Sequence, residues 1–225
     1  MNKNKIDIIN KIFSEKKFKS FADLGGVWGV EGGYTYHILS NFDINASFLV
    51  DTNITEIVKN KSSMHSSLTL IEGNFGDEKV YNQLPQVDLI ILFDVLLHQV
   101  NPDWDEILEI YSKKADHFLI YNQQWIRGSE SIRLLDLGEV EYFNNTPHER
   151  DFGPYRDLFK KLDELNISHN RLWRNVHNIW QWGITNQSLL SKLDSLGFEL
   201  QYYENCGDVH NLQNFENRIF LFSKK

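Results

Sequence analysis

The sequence predicts an α/β fold, a mostly parallel sheet flanked by helices, and three observations carry that reading. Short, mainly apolar runs at 21–22, 47–50, 68–71 and 87–93 each lead into acidic or glycine-rich residues, with a helical segment after each. The first run opens directly into a glycine-rich turn. The fourth is almost wholly apolar, the pattern of a parallel strand covered on both faces.

The elements follow in order. Residues 5–16 carry apolar side chains at helical spacing and lead into the first strand, which ends at Asp23. A helix over 33–40 leaves the glycine turn. The second strand, 47–50, runs into Asp51, and the third, 68–71, is followed by Gly73-Asn74-Phe75-Gly76-Asp77. The fourth, 87–93, ends in Asp94. Asn101-Pro102-Asp103-Trp104 opens a helix reaching about residue 113, with proline near its first turn and acids behind it. Residues 116–121 form a fifth strand. Thr185 is the expected N-cap of a helix through 196 closed by Gly197, and 198–203 and 218–222 read as the last two strands. Residues 122–183 form an insert between strands five and six.

The glycine turn is the most informative feature. Residues 21–33, Phe-Ala-Asp-Leu-Gly-Gly-Val-Trp-Gly-Val-Glu-Gly-Gly, hold an acid and then five glycines in nine positions, which brings bare backbone N–H groups and one carboxylate to a ligand. A dinucleotide fingerprint counted from Gly25 needs glycine where Val27 and Val30 stand, so a nicotinamide-dependent oxidoreductase is disfavoured. A P-loop needs Gly-Lys-Ser/Thr, and no lysine follows until Lys59. Asp51 lies 22 residues after Gly29, about where a ribose-binding acid belongs in a βαβ nucleotide site.

Asp23-x-Gly25-x-x-x-Gly29 resembles the first motif of class I S-adenosylmethionine-dependent methyltransferases, with Val27 in place of the usual middle glycine. The resemblance covers the chain from about residue 18 onward. It implies a Rossmann-like seven-stranded sheet whose last strand is antiparallel, with a helical insert between strands five and six, and S-adenosyl-L-methionine as cofactor. It places Asp23 and the turn Gly25, Gly26, Trp28 and Gly29 at the amino-acid half of the cofactor, Asp51 with Thr52 at the ribose, Asn74 and Phe75 at the adenine, and Asp94 with Val95 at the methionyl amino group. Each has a plainer alternative: Asp51 as a cap, Phe75 as core, Asp94 as a helix N-cap.

Composition fits a single domain spanning 1–225. The chain carries 31 acids against 23 bases, a net charge of −8, without a basic patch interleaved with aromatics, which disfavours a nucleic-acid partner. No stretch approaches the ~20 apolar residues of a membrane span, the N-terminus lacks a signal-peptide core, and the lone Cys206 fits a reducing compartment, so a cytoplasmic location is expected. No histidine or cysteine cluster has metal-ligand spacing. The sequence leaves the oligomeric state open.

The insert is the expected substrate cap. It holds Trp125, Arg127, Arg150, Arg174 and Trp180, residue types suited to an anionic, ring-bearing small molecule, although its 8 bases against 9 acids also allow surface ion pairing. A hydroxyl acceptor needs a base with a pKa near 7. His98, four residues past Asp94, is the first candidate and His177, in the insert, the second. The Asn/Asp-Pro-Pro-Tyr signature of amino-group methyltransferases is absent, since Asp94-Val95-Leu96-Leu97 stands there. The expected activity is therefore O-methylation of a sugar, sugar nucleotide or phosphorylated metabolite. A non-catalytic cofactor-binding regulatory subunit and a small-molecule N-methyltransferase are the alternatives.

Overall fold

The computed structural model describes residues 1–225. Helix α1 (Lys3–Lys16) is capped by Asn2, whose side chain accepts from the Asn4 N–H at 2.8 Å, and ends at Lys17 in a left-handed conformation. Its inner face is a stripe of Lys5, Ile8, Ile9 and Ile12, so one charged side chain shares a buried apolar row. Burying each isoleucine there is worth about 1.5–3 kcal/mol.

Strands β1 (Ser20–Leu24), β2 (Ala46–Asp51), β3 (Leu68–Glu72), β4 (Val87–Phe93) and β5 (Ala115–Trp125) are mutually parallel. Between them run α2 (Gly33–Asn41), α3 (Glu56–Ser62), α4 (Glu78–Tyr81) and α5 (Trp104–Tyr111). After β5 the insert contributes the short strands β6 (Ile132–Arg133), β7 (Leu165–Asn166), β8 (Arg171–Leu172) and β9 (Trp182–Gly183), with α6 (Glu139–Asn144) as its one α-helix among several 3-10 turns. Helix α7 (Asn186–Ser195), capped by Thr185 as predicted, leads to β10 (Phe198–Val209) and β11 (Leu212–Lys224). The seven-stranded sheet has the order β10-β11-β5-β4-β1-β2-β3. Only β11 runs against its neighbours.

Alternation along the central strands builds two cores. Phe118 and Ile120 of β5 face α5 and α7, while Leu119 and Tyr121 face α1 and α2. Because both faces are covered, β4 is apolar and buried at every position but Asp88, which accepts from the Lys19 and Ser20 N–H groups near the strand's start.

Strand β5 runs four residues beyond the predicted end at residue 121. The long β11 supplies the reason, pairing Phe215, Glu216, Asn217 and Arg218 with Trp125, Gln124, Gln123 and Asn122, so the ladder continues through polar side chains. The insert consequently leaves the sheet at Ile126 rather than at residue 122. It has its own core of Trp125, Leu134, Tyr142, Tyr155, Val176 and Trp180, closed onto Phe215 of β11. No helix is long and apolar enough to cross a membrane.

Candidate active site at the carboxyl edge of the sheet

The glycine turn is packed from beneath by the chain itself. A Cβ on Gly26 would lie 2.3 Å from Oδ2 of Asp23, and one on Gly25, whose φ is +76°, would lie 2.6 Å from Cγ1 of Val95. Gly29, at φ +72°, has open space above it. These two glycines therefore answer to internal packing, and Gly29 is the one exposed to a ligand.

Asp23 ends fully enclosed under this turn, where it accepts a hydrogen bond from the Thr35 hydroxyl at 2.7 Å. Burial raises its pKa to about 6, helped by the nearby Asp51 and opposed by Thr35 and Lys5. The carboxyl thus keeps a proton in the folded chain that it loses near the ordinary 3.8 when unfolded, so its contribution to stability is full below that value and is lost as pH rises to about 6. Asp23→Asn should gain stability relative to wild type between pH 4 and pH 7, by on the order of 2–3 kcal/mol. Urea unfolding at both pH values measures this, and a difference that does not move with pH refutes it.

Asp51, at the tip of β2, latches the turn. Its Oδ2 accepts from the Val27 N–H at 2.9 Å and the Trp28 N–H at 3.3 Å, and its Oδ1 accepts from Asn53 N–H at 3.2 Å. Thr52 beside it donates to Oδ1 at 3.5 Å. Trp28 is left 87 % exposed on the turn.

The tip of β4 meets the same turn from the other side. Asp94 adopts φ +58°, an uncommon backbone state for a residue with a side chain, and its Oδ1 accepts from Gln123 Nε2 at 2.7 Å. Its Oδ2 pairs with the Lys5 ammonium. Phe75 of the β3–α4 loop closes the group, with its ring edge 3.6 Å from the position a Cβ on Gly25 would take.

Over this edge the insert is fastened to the turn that follows β4, residues Leu96–His98. The Gln181 N–H donates to the Leu97 carbonyl at 3.0 Å, and Trp182 Nε1 donates to the Gln99 carbonyl at 2.7 Å. His98 Nδ1 lies 2.8 Å from the Ile179 carbonyl. A carbonyl only accepts, so Nδ1 carries the hydrogen and Nε2 keeps its lone pair. Burial holds this imidazole below the ordinary histidine range, hence neutral at pH 7.

His177 is differently committed. Its Nε2 lies 2.9 Å from Asn74 Nδ2 and also meets the Arg171 guanidinium, both of them donors, so its lone pair is already used. Burial, then the Arg171 charge, pushes it down to about 4. Arg171 reaches Asp77 and the carbonyls of Val100 and Asn101, so this cluster ties the insert to the β3–α4 loop.

Solved structures of the same architecture are numerous, and three illustrate it. The N-terminal domain of EvdMO1, solved with S-adenosylhomocysteine bound, is similar at a TM-score of 0.60 and 10 % identity, over 100 % of this chain and 82 % of that one. Magnesium protoporphyrin IX methyltransferase (ChlM) from Synechocystis PCC 6803 gives 0.59 at 11 % identity, over 99 % and 82 %. An O-methyltransferase family protein from Burkholderia thailandensis gives 0.57 at 10 % identity, over 98 % and 55 %. The fold is that of the class I methyltransferases. No protein-family model matches the sequence, and no curated protein matches it.

Within the methyltransferase fold, the structure gathers Asp23, Gly25, Gly26, Asp51, Phe75, Asp94 and Val95 around one turn, with His98 beyond Asp94. It does not bring the insert residues there as free side chains. Arg127 pairs with Glu141 at 3.5 Å, Arg150 with Glu139 at 4.0 Å and Arg174 with Asp163 at 2.7 Å, all at least a third exposed, where ion pairs contribute little. Trp125 and Trp180 are buried in the insert's core. A surface cavity of about 410 Å³ opens at the opposite edge of the sheet beside Lys16, Asp88 and Asp116, where no carboxyl strand tips converge.

Sequence reasoning missed Lys5, Tyr34, Gln123 and Arg171. Lys5 had a readable signal, since a lysine at position 5 is in helical register with Ile8, Ile9 and Ile12. Arg171 had none, because Asp77 and Asn101, which it joins to the insert, lie 94 and 70 residues away along the chain.

Proposed function

We propose that the chain is an S-adenosylmethionine-dependent methyltransferase that methylates a hydroxyl of a small polar acceptor such as a sugar, sugar nucleotide or phosphorylated metabolite. The observation that carries the reading is the meeting of three strand tips at one glycine turn: Asp51 bonded to Val27 and Trp28, Val95 packed on Gly25, and Phe75 beside both. That cradle suits the cofactor. Gly29 offers open backbone, Asp51 and Asp94 each keep acceptor capacity on their carboxylate oxygens, and Phe75 presents a ring edge. Asn74 has its amide on His177 and its carbonyl oxygen on the Gly76 N–H at 2.8 Å, which makes it a support of the loop before it is an adenine contact.

When bound, the cofactor supplies an electrophilic methyl group on a positively charged sulfur. The chain's own share is to hold the acceptor in line, keep water out and take the hydroxyl proton. His98 Nε2, neutral and unpartnered, is the group suited to take it. The insert, bonded to the His98 turn at three points, supports the exclusion of water. The names of the similar structures include D-fucose, present with EvdMO1, and the magnesium protoporphyrin IX of ChlM beside an RNA methyltransferase, and it is the chain's net charge of −8 that favours a small-molecule acceptor over RNA.

Calorimetric titration with S-adenosylhomocysteine tests the cofactor reading. A micromolar Kd corresponds to about −8 kcal/mol, and no heat at millimolar ligand removes the proposal. Asp51→Ala should weaken that binding by about 1–3 kcal/mol, roughly 5- to 150-fold, through the lost charge-assisted bonds. Unaltered affinity would put the ribose elsewhere. Release of homocysteine with a panel of sugars and nucleotides separates an enzyme from a silent cofactor-binding subunit.

A further inference from the structure

Lys5 is the one ionised side chain on the buried stripe of α1, and its surroundings are unusual. Its ammonium lies 4.6 Å from the ring centre of Tyr121, 5.3 Å from Phe93 and 5.5 Å from Tyr34, while its side chain is 7 % exposed. Among hydrogen-bond acceptors it meets Asp94 alone. An ammonium carries three donors, so two remain directed at ring faces. Asp94 in turn has one bond on each oxygen, from Lys5 and from Gln123, and can accept more.

This pair adjoins the glycine turn by two independent routes. Tyr34 in the cage and Thr35 on Asp23 are consecutive residues in the first turn of α2, and Val95, next to Asp94, packs against Gly25. An ammonium beside a carboxylate, each with spare valences, is the charge complement of an amino-acid zwitterion. A carboxylate alone would suit an amine only. Burying an ion costs free energy unless its partners are well placed, so a lysine held at this depth calls for a reason beyond packing, which an isoleucine would serve.

We propose that Lys5 is a binding residue for the α-carboxylate of the cofactor's methionyl end, with Asp94 receiving the α-ammonium, so that the N-terminal helix supplies part of the cofactor site. The inference rests on the cofactor reading above and adds a subsite to it. Binding would turn those hydrogens from the ring faces to the carboxylate, while the three rings still flank the ammonium.

The test compares two ligands that differ only at this end, S-adenosylhomocysteine and 5′-methylthioadenosine, which lacks the amino-acid portion. Calorimetry is run on wild type, Lys5→Met and Lys5→Arg. Methionine fills an aromatic cage without charge, and arginine keeps the charge. Lys5→Met is expected to weaken S-adenosylhomocysteine binding about 10- to 100-fold while 5′-methylthioadenosine changes less than about twofold, and Lys5→Arg to retain most of the affinity. Equal weakening of both ligands, or no weakening of either, overturns the proposal and leaves the cofactor reading standing. Binding of neither ligand by wild type removes both. A thermal melt of Lys5→Met within a few degrees of wild type confirms that the comparison concerns folded protein, and Lys5→Arg carries the test alone if it does not: weak, ligand-unselective binding by this variant then counts against the proposal.

Discussion

Replacing His98 by asparagine should lower turnover by about 10²- to 10⁴-fold, equivalent to roughly 3–5 kcal/mol of transition-state stabilisation, while leaving S-adenosylhomocysteine affinity within about twofold. Asparagine is chosen because its amide N–H reaches the position from which Nδ1 donates to the Ile179 carbonyl, so the insert contact is preserved and only the free lone pair of Nε2 is lost. Alanine removes both, and its additional loss measures the contact. The pH profile gives a second readout. Because burial depresses the imidazole's pKa, the base form persists below the ordinary 6.5, and wild-type turnover should be flat through neutral pH, falling only on the acid side of that value. A variant with wild-type turnover on an accepted substrate would show that the acceptor arrives already ionised, and His98 would then be a fastening for the insert only.

The second large effect concerns Gly26. Alanine there places a methyl group 2.3 Å and 2.7 Å from the two carboxylate oxygens of Asp23, which is itself enclosed and tied to Thr35. Neither group has room to retreat. Gly26→Ala should cost at least about 3 kcal/mol, lowering Tm by roughly 6–12 °C for a chain of this size. The double variant Asp23→Ala/Gly26→Ala distinguishes collision from other causes: removing the carboxylate makes the space, so the pair should cost less than the sum of the single changes by 1 kcal/mol or more. Strict additivity would mean that the turn relieves the contact elsewhere. Either result is readable from thermal melts.

These two residues also show how legibility divides. Strand β4 was readable to the residue because all its positions from Val87 to Phe93 except Asp88 answer to burial on both faces, a local signal. The same logic found Thr185 and Gly197, where capping is decided by the residues themselves. The reach of β5 to Trp125 was not readable, since Asn122, Gln123 and Gln124 have no strand preference of their own and follow β11, about ninety residues later. The insert resisted for the same reason. Its strands are two residues long, too short for a period to show, and β6 is fixed by a partner far along the chain, Ile132 by Gly183.

At the site, the acids at the strand tips were legible and their employment was not. Asp23 has the position of a ligand-facing acid, yet Thr35 and Gly26 enclose it. The arginines of the insert fit anion binding by type alone, while the structure commits Arg127, Arg150 and Arg174 to neighbouring acids and turns Arg133 inward, where it donates to Gln181 Oε1 at 2.9 Å and to the Arg174 carbonyl at 2.6 Å. Residue type narrows the chemistry. Only the placement of partners says which side chain is free to perform it.

The fastening of His98 to the Ile179 carbonyl joins two histories in one hydrogen bond. The cradle at the strand tips is assembled from residues before 126, Gln123 on Asp94 included, and takes from residues 126–181 the braces of His177 on Asn74 and Arg171 on Asp77. The tautomer of the histidine, by contrast, is dictated from within that later segment. On the proposed function, drift in the insert would explore new acceptors at little expense to the donor's berth, whereas a shift of the backbone at Ile179 would release the histidine proposed as proton acceptor.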